Sequence, residues 1–187
     1  STPLSGASEP SVLAREPWQS EQYMVCVPTA PVLPKGRRQG ILPALMPQAD
    51  MSVKETDDCS VRIVLAFDGD RSRFSPKNAM LSELARLLTG EELPYATLMY
   101  VWSKKSPAGT VIVNPRTDRI RKLVVESGDS KLNSWVDYER TIRADFEKAF
   151  GEAPGALMSV SVMTDSDNTQ STTRAWYGPL TITAAKP

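Results

Sequence analysis

The 187-residue chain contains no histidine. This absence excludes a Ser–His–Asp or Cys–His nucleophile system. It also excludes His-ligated zinc, copper and iron sites and removes the usual general base near neutral pH. Catalysis would fall to carboxylates, Lys, Tyr or a hard cation held by oxygens. Cysteine is scarce as well, with only Cys26 and Cys59. Two thiols cannot build a structural zinc site, but they can form one disulfide in an oxidising compartment or stay free in a reducing one. Neither sign of charge is in surplus, since Lys plus Arg and Asp plus Glu each number 22. Nucleic-acid binders usually carry a basic excess that displaces counterions from phosphate, so no nucleic-acid partner is expected. The short basic groups Arg37–Arg38 and Arg116–Arg119–Arg121–Lys122 read as solvated edges of a loop and a strand. No apolar run approaches the roughly 18 residues of a membrane span, so the chain is not expected to span a membrane.

What is present is an ordinary globular composition, 41% hydrophobic and 24% charged, long enough to bury a core without staples. Proline divides the chain. Eight of the fifteen prolines fall in residues 1–47, at Pro3, Pro10, Pro17, Pro28, Pro31, Pro34, Pro43 and Pro47. Each lacks an amide donor and restricts its predecessor, so this segment is expected to be largely irregular, with room for a strand only at Gln22–Val27. Residues 48–187 read as one domain. Val61–Phe67 is apolar and β-branched and ends at Asp68-Gly69-Asp70, a buried strand followed by a turn. Ser75–Gly90 reads as a helix, with Ser75 as cap, Pro76 in the first turn and Gly90 as stop. Its Met80, Leu81, Leu84, Leu87 and Leu88 share one face, which is expected to be core. Strands follow at Thr97–Trp102, Thr110–Val113, Ile120–Val125, Trp135–Thr141, Leu157–Met163 and Ala175–Thr183, with a short helix at Ile142–Phe150. Many strands, turn signals between them and only two helices predict a mainly β fold, a β-sandwich.

Three constellations can carry chemistry. Asp165, Asp167, Asn168 and Thr169 lie in the loop before the last strand, where alternating oxygens can converge on a hard cation such as calcium. Asp165 and Asp167 are the metal candidates; the same residues also serve a polar hairpin loop. Asp68 and Asp70 end the first long strand and can act as ligand-binding carboxylates or as an acid–base pair. Acids at strand ends, Asp57-Asp58 included, more often solvate turns. The third group is aromatic: Tyr95, Tyr100, Trp102, Trp135, Trp176 and Tyr177. Tyr100 and Trp102 are expected in the core with their polar tips hydrogen-bonded, whereas Trp135 and Trp176 are candidates for stacking on a sugar ring. Asp145 reads as a solvated helix charge or a partner for a strand arginine.

The stretches Ala49–Asp58, Val61–Asp70, Pro94–Trp102, Val113–Lys122, Ala144–Gly151, Met163–Thr169 and Ala175–Gly178 occur in the order found in a known family. From about Leu45 onward the chain resembles the bacterial family called domain of unknown function 3047. The resemblance implies no assigned catalytic residue. It implies an exported, periplasmic or secreted protein and a strand order similar to a galactose-binding-like jelly roll. Family members carry further strands before the equivalent of Leu45, where this chain reads Gly36-Arg37-Arg38-Gln39-Gly40-Ile41-Leu42. A sheet edge is therefore expected to stay open unless Tyr23–Val27 fills the place.

These readings converge on a non-catalytic binding or accessory module with a carbohydrate or protein partner and no cofactor, calcium being the one candidate. The alternatives are a carboxylate-dependent hydrolase acting on carbohydrate and a structural subunit of a larger assembly. If the protein is exported, Cys26 and Cys59 are expected to form a disulfide across the segment boundary.

Overall fold

The computed structural model describes the backbone of residues 23–27 and 184 and the whole of residues 45–178 and 180–183. Ten regular elements follow one another: β1 (Tyr23–Val27), β2 (Cys59–Phe67), α1 (Pro76–Thr89), β3 (Ala96–Ser103), β4 (Val111–Val113), β5 (Ile120–Ser127), β6 (Tyr138–Thr141), α2 (Ile142–Phe150), β7 (Leu157–Asp165) and β8 (Thr181–Ala184). They form a five-stranded sheet of order β4-β5-β3-β2-β7 and a three-stranded sheet of order β6-β1-β8. The fold is mainly β with two short helices, as the strand signals predict. The larger sheet is mixed, because β3 and β5 run parallel while its other neighbours are antiparallel. An antiparallel jelly roll has no such pair.

The strand allowed at Gln22–Val27 forms as β1 and occupies the middle of the smaller sheet, between β6 and β8. The proline-rich region thus supplies the central strand of this sheet. The expected irregular character of 1–22 and 28–44 lies outside the described residues.

Strands β2 and β3 read as continuous apolar runs because both their faces are covered. On one face Ile63, Leu65 and Phe67 join Leu98, Tyr100 and Leu123, and α2 closes over them with Ile142, Phe146 and Ala149. Phe67 meets Phe146 edge-on, with centroids 4.7 Å apart. The i, i+4 spacing of Ile142 and Phe146 places both on the buried side of α2, as its sequence predicts. Asp145 is buried on this helix too. It accepts hydrogen bonds from the Tyr100 hydroxyl at 2.9 Å and from Arg140, so the strand-arginine reading holds and the solvated one does not.

The other face carries Met51, Cys59, Val101, Ile112 and Val124, together with a buried cation. Lys122 is fully buried and donates to the Met51 carbonyl and the Asp57 carboxylate. Arg62 also reaches the Asp57 carboxylate, and Asn114 donates to it. Burial lowers the Lys122 pKa, and Asp57 offsets part of that. The basic run around Lys122 is therefore not a solvated edge. Arg119 lies over the Tyr95 ring at 4.1 Å and donates to Glu152. Strand β2 ends at Asp68-Gly69-Asp70 as read, the turn itself falls at Arg71–Arg73 as a single 3₁₀ turn, and the Tyr95 ring occupies the space a Gly69 Cβ would need.

Helix α1 begins and ends as its sequence predicts. The Ser75 hydroxyl accepts from the Asn78 amide, Pro76 opens the first turn, and Gly90 adopts the left-handed conformation at φ 78°. Its apolar face, however, is not core. The buried positions are Asn78 and Ser82, while Met80, Leu84, Leu87 and Leu88 are exposed. Polar anchors decide the orientation: the Asn78 amide donates to Asp118 and accepts from Thr117.

The Lys122 arrangement predicts an asymmetry. Asp57→Ala leaves a buried ammonium uncompensated and is expected to cost about 3–5 kcal/mol in urea unfolding. Lys122→Met leaves Asp57 with Arg62 and Asn114 and is expected to cost less. The double variant is expected to recover part of the Asp57→Ala loss. Equal costs for the two single changes would contradict this account.

Candidate functional site

A small cleft, with a cavity volume of about 80 Å³, opens on the α2-bearing face of the larger sheet. Its floor is Ile63, Tyr100, Trp102 and Val125, and its walls are the segments entering β6 and β8, residues 134–138 and 175–178. The strands predicted from Trp135 and Ala175 begin only at Tyr138 and Thr181, and these entering segments contribute aromatic rings, Trp135 and Tyr138 from one, Trp176 and Tyr177 from the other. Trp102 belongs to the floor by alternation with Tyr100, and the register slip between Val101 and Trp102 adds a residue on β5 that sets Glu126 opposite it. It packs on Leu45 and donates its indole N–H to the Gly128 carbonyl at 2.9 Å.

The ring tips have different fates. The Tyr177 hydroxyl is spent on the Met163 carbonyl at 2.6 Å and on Thr164. Tyr100 is spent on Asp145, and burial raises its pKa well above the ordinary value. The Trp135 indole nitrogen is buried with no hydrogen-bond partner among the described residues. Trp176 is 42% exposed and offers a ring face.

One carboxylate, Glu126, lines the cleft among the described residues. It accepts from Lys131 at 2.6 Å, Tyr138 at 2.7 Å and the Ser127 amide at 3.1 Å. Burial pushes its pKa up, but these three donors outweigh burial and hold it below the ordinary value. It is thus a fixed negative acceptor, not a proton donor at neutral pH. A carboxylate offers roughly four acceptor positions, so about one remains for a ligand. Sequence reading missed Glu126, because one Glu near a strand end gives no signal of its own.

The structure separates the other candidates. Trp135 and Trp176 both line the cleft. Asp165, Asp167, Asn168 and Thr169 gather instead around Asp58, and the carboxylates of Asp58, Asp165 and Asp167 lie within 4.8 Å of one another. This trio offers oxygens suited to a hard cation, but much of its bonding is internal. Asp58 accepts from the amides of Asn168 and Thr169 and from the Thr169 hydroxyl. Asp165 pairs with Arg62 at 3.2 Å; burial and Asp167 raise its pKa against that pull. Asp57 and Asp58 therefore fasten loops rather than merely solvate a turn.

Asp68 and Asp70 sit at the far end of β2. Asp165 pairs across from Cys59, where β2 begins, so the two carboxylate groups are about 25–30 Å apart along nine residues. Asp68 pairs with Arg71, and Asp70 caps the following turn through Ser72. The Cys59 thiol is free and buried, donating to the carbonyls of Val61 and Trp102. The side chain of its expected partner Cys26 lies outside the described residues.

A family model described as "Protein of unknown function (DUF3047)" matches residues 42–181. The chain belongs to the DUF3047 family. The match takes in the larger sheet, both helices and the cleft, while β1 lies before it. No curated protein and no solved structure matches the chain. No helix among the described residues is long and apolar enough to cross a membrane.

Glu126 makes stability depend on pH. Its folded pKa lies below the unfolded one, so below about pH 4.5 the unfolded chain takes up the proton first. The stability it contributes is complete above that value and is lost as pH falls through the folded pKa. Glu126→Gln is expected to lower unfolding free energy by about 1–3 kcal/mol at pH 7. The gap to wild type should shrink on acidification below about pH 4. A gap unchanged with pH would contradict an ionised Glu126.

Proposed function

We propose that this DUF3047 chain is a non-catalytic binding module whose aromatic cleft takes a carbohydrate. The observation that carries this reading is that Trp135 and Trp176 line one cleft together with a single fixed carboxylate. Sugar rings present apolar C–H faces that stack on indoles and hydroxyls that need acceptors and donors. Trp176 offers the ring face and Glu126 an acceptor position.

The hydrolase alternative has less support. Glycoside hydrolysis uses two carboxyl groups facing one bond. The cleft has one among its described lining residues, and that one is held ionised. The Asp165–Asp167 pair lies outside the cleft lining and is tied to Arg62 and Asp58's loop. Calcium at the Asp58, Asp165 and Asp167 group remains part of the proposal only as a brace for that loop. The periplasmic or secreted setting rests on the family resemblance. A galactose-binding-like jelly roll is the finer fold reading; two sheets favour it and the parallel β3–β5 pair weighs against it.

The test is a glycan array followed by titration of tryptophan fluorescence with the glycans that bind. Trp176→Ala and Trp135→Ala are expected to weaken binding about tenfold or more, the loss of roughly one stacking contact. Their circular dichroism should match wild type. No binding across a broad glycan panel, or binding indifferent to both changes, would overturn the reading.

A further inference from the structure

The outer edge of β7 is the feature that neither the core nor the cleft uses. Sheet edges are usually kept short, charged or interrupted by proline, because their unpaired amides and carbonyls accept another strand. The other edges of this fold follow that rule. β4 has three residues and runs into Asn114-Pro115, and β6 and β8 have four each. β7 has nine, pairs only with β2 among the described residues, and carries neither charge nor proline from Leu157 to Thr164. Its Met158, Val162 and Met163 are 64%, 49% and 41% exposed.

Hydrogen bonds fix which backbone groups face outward. The Asp68 amide donates to the Ala156 carbonyl, and the Tyr177 hydroxyl bridges the Arg62 amide and the Met163 carbonyl. Even-numbered residues of β2 therefore turn their backbones to β7, and opposite them lie Ser159, Ser161 and Met163. In an antiparallel ladder the residues between these point the other way. The amides and carbonyls of Val160 and Val162 thus face away from β2. Register shifts at both ends confine the regular run to Ser159–Met163, whose centre is Ser161.

We propose that this edge is a self-association surface, on which a second copy of the chain lays its own β7 antiparallel about a two-fold axis at Ser161. Val160 of each copy then faces Val162 of the other, and each such pair exchanges two backbone hydrogen bonds. These pairs use the outward groups of both strands. Ser161 meets its own copy, Ser159 faces Met163, and no charge opposes a like charge. A second copy suits the edge better than a foreign strand. One two-fold covers both long edges at once, whereas a foreign strand covers one and brings an open edge of its own. The joined sheet then ends in the three-residue β4 on either side, so the assembly closes as a dimer. The chain's own sequence before Leu45 is broken by proline at short intervals, and proline cannot donate to a ladder.

The area sets the expected strength. Nine strand residues span about 30 Å. One strand edge of that length is smaller than the roughly 800 Å² per partner of a standard stable interface. The dimer is therefore weak and concentration-dependent. It is independent of the cleft reading, since β7 contributes no residue to the cleft lining.

Sedimentation velocity on the full chain across a wide micromolar range tests the proposal. The wild-type mass is expected to rise towards that of a dimer with concentration. Ser161→Lys and Ser161→Glu each put like charges at the axis, and each is expected to stay monomeric. Because Ser161 is exposed, both folds should be intact by circular dichroism. An equimolar mixture of the two variants is expected to restore the dimer, since Lys then faces Glu; a merely structural role for Ser161 would not produce this. Val162→Pro removes an outward donor from each copy and leaves the ladder to β2 in place, and is expected to weaken the dimer about tenfold or more. A wild type that stays monomeric at every concentration overturns the proposal, as does a dimer indifferent to the Ser161 changes or a mixture that stays monomeric. Monomeric wild type whose Val160 and Val162 amides resist hydrogen exchange would assign the edge to the chain's own residues and overturn it as well.

Discussion

Lys122 carries its ammonium into a face of the larger sheet where no water reaches it. Burial of that charge is tolerable only with a carboxylate and further acceptors close by. Asp57 supplies the carboxylate, and the Met51 carbonyl supplies the second acceptor. The segment before β2 must therefore lie across the sheet, which buries Met51 against Val101, Ile112 and Val124. The next residue, Asp58, holds the amides of Asn168 and Thr169 and so draws in the loop that follows β7. Two adjacent acids thus join β2, β5, the end of β4 and the β7–β8 connection.

The same connection leads to one wall of the cleft. Thr173 donates to Ser60, and Tyr177 reaches back to Thr164 and Met163, so the strand entering β8 is tied along β7. Trp176 lies between these anchors and presents its ring to the cleft. The opposite wall is fixed by Glu126, whose partners Lys131 and Tyr138 hold the segment entering β6. The charges and hydroxyls around the cleft are largely used in building it. What they leave unspent in the cleft is ring surface and about one acceptor position on Glu126.

A different balance governs α1. The helix meets the domain through Asn78, Ser82 and hydrogen bonds to Asp118 and Thr117, not through its leucines. The domain already has a core without them, closed by α2 on the one face.

Local interactions were legible in the chain. Ser75, Pro76 and Gly90 marked α1 because capping and left-handed backbone are decided within a few residues. The apolar runs marked β2 and β3, and the i, i+4 spacing marked the buried side of α2. Zero histidine narrowed the available chemistry, a matter of composition alone. Tertiary structure decided whatever depends on pairing across distance. Nothing local says that Lys122 is buried, because its partner Asp57 stands 65 residues away. Nothing local puts Trp135, Trp176 and Glu126 in the lining of one cleft, because three separate strand ends must first meet. Periodicity gave α1 an apolar face but could not say which way it points. That direction was set by Asn78 finding Asp118 forty residues on, a contact that exists only once the sheet is assembled.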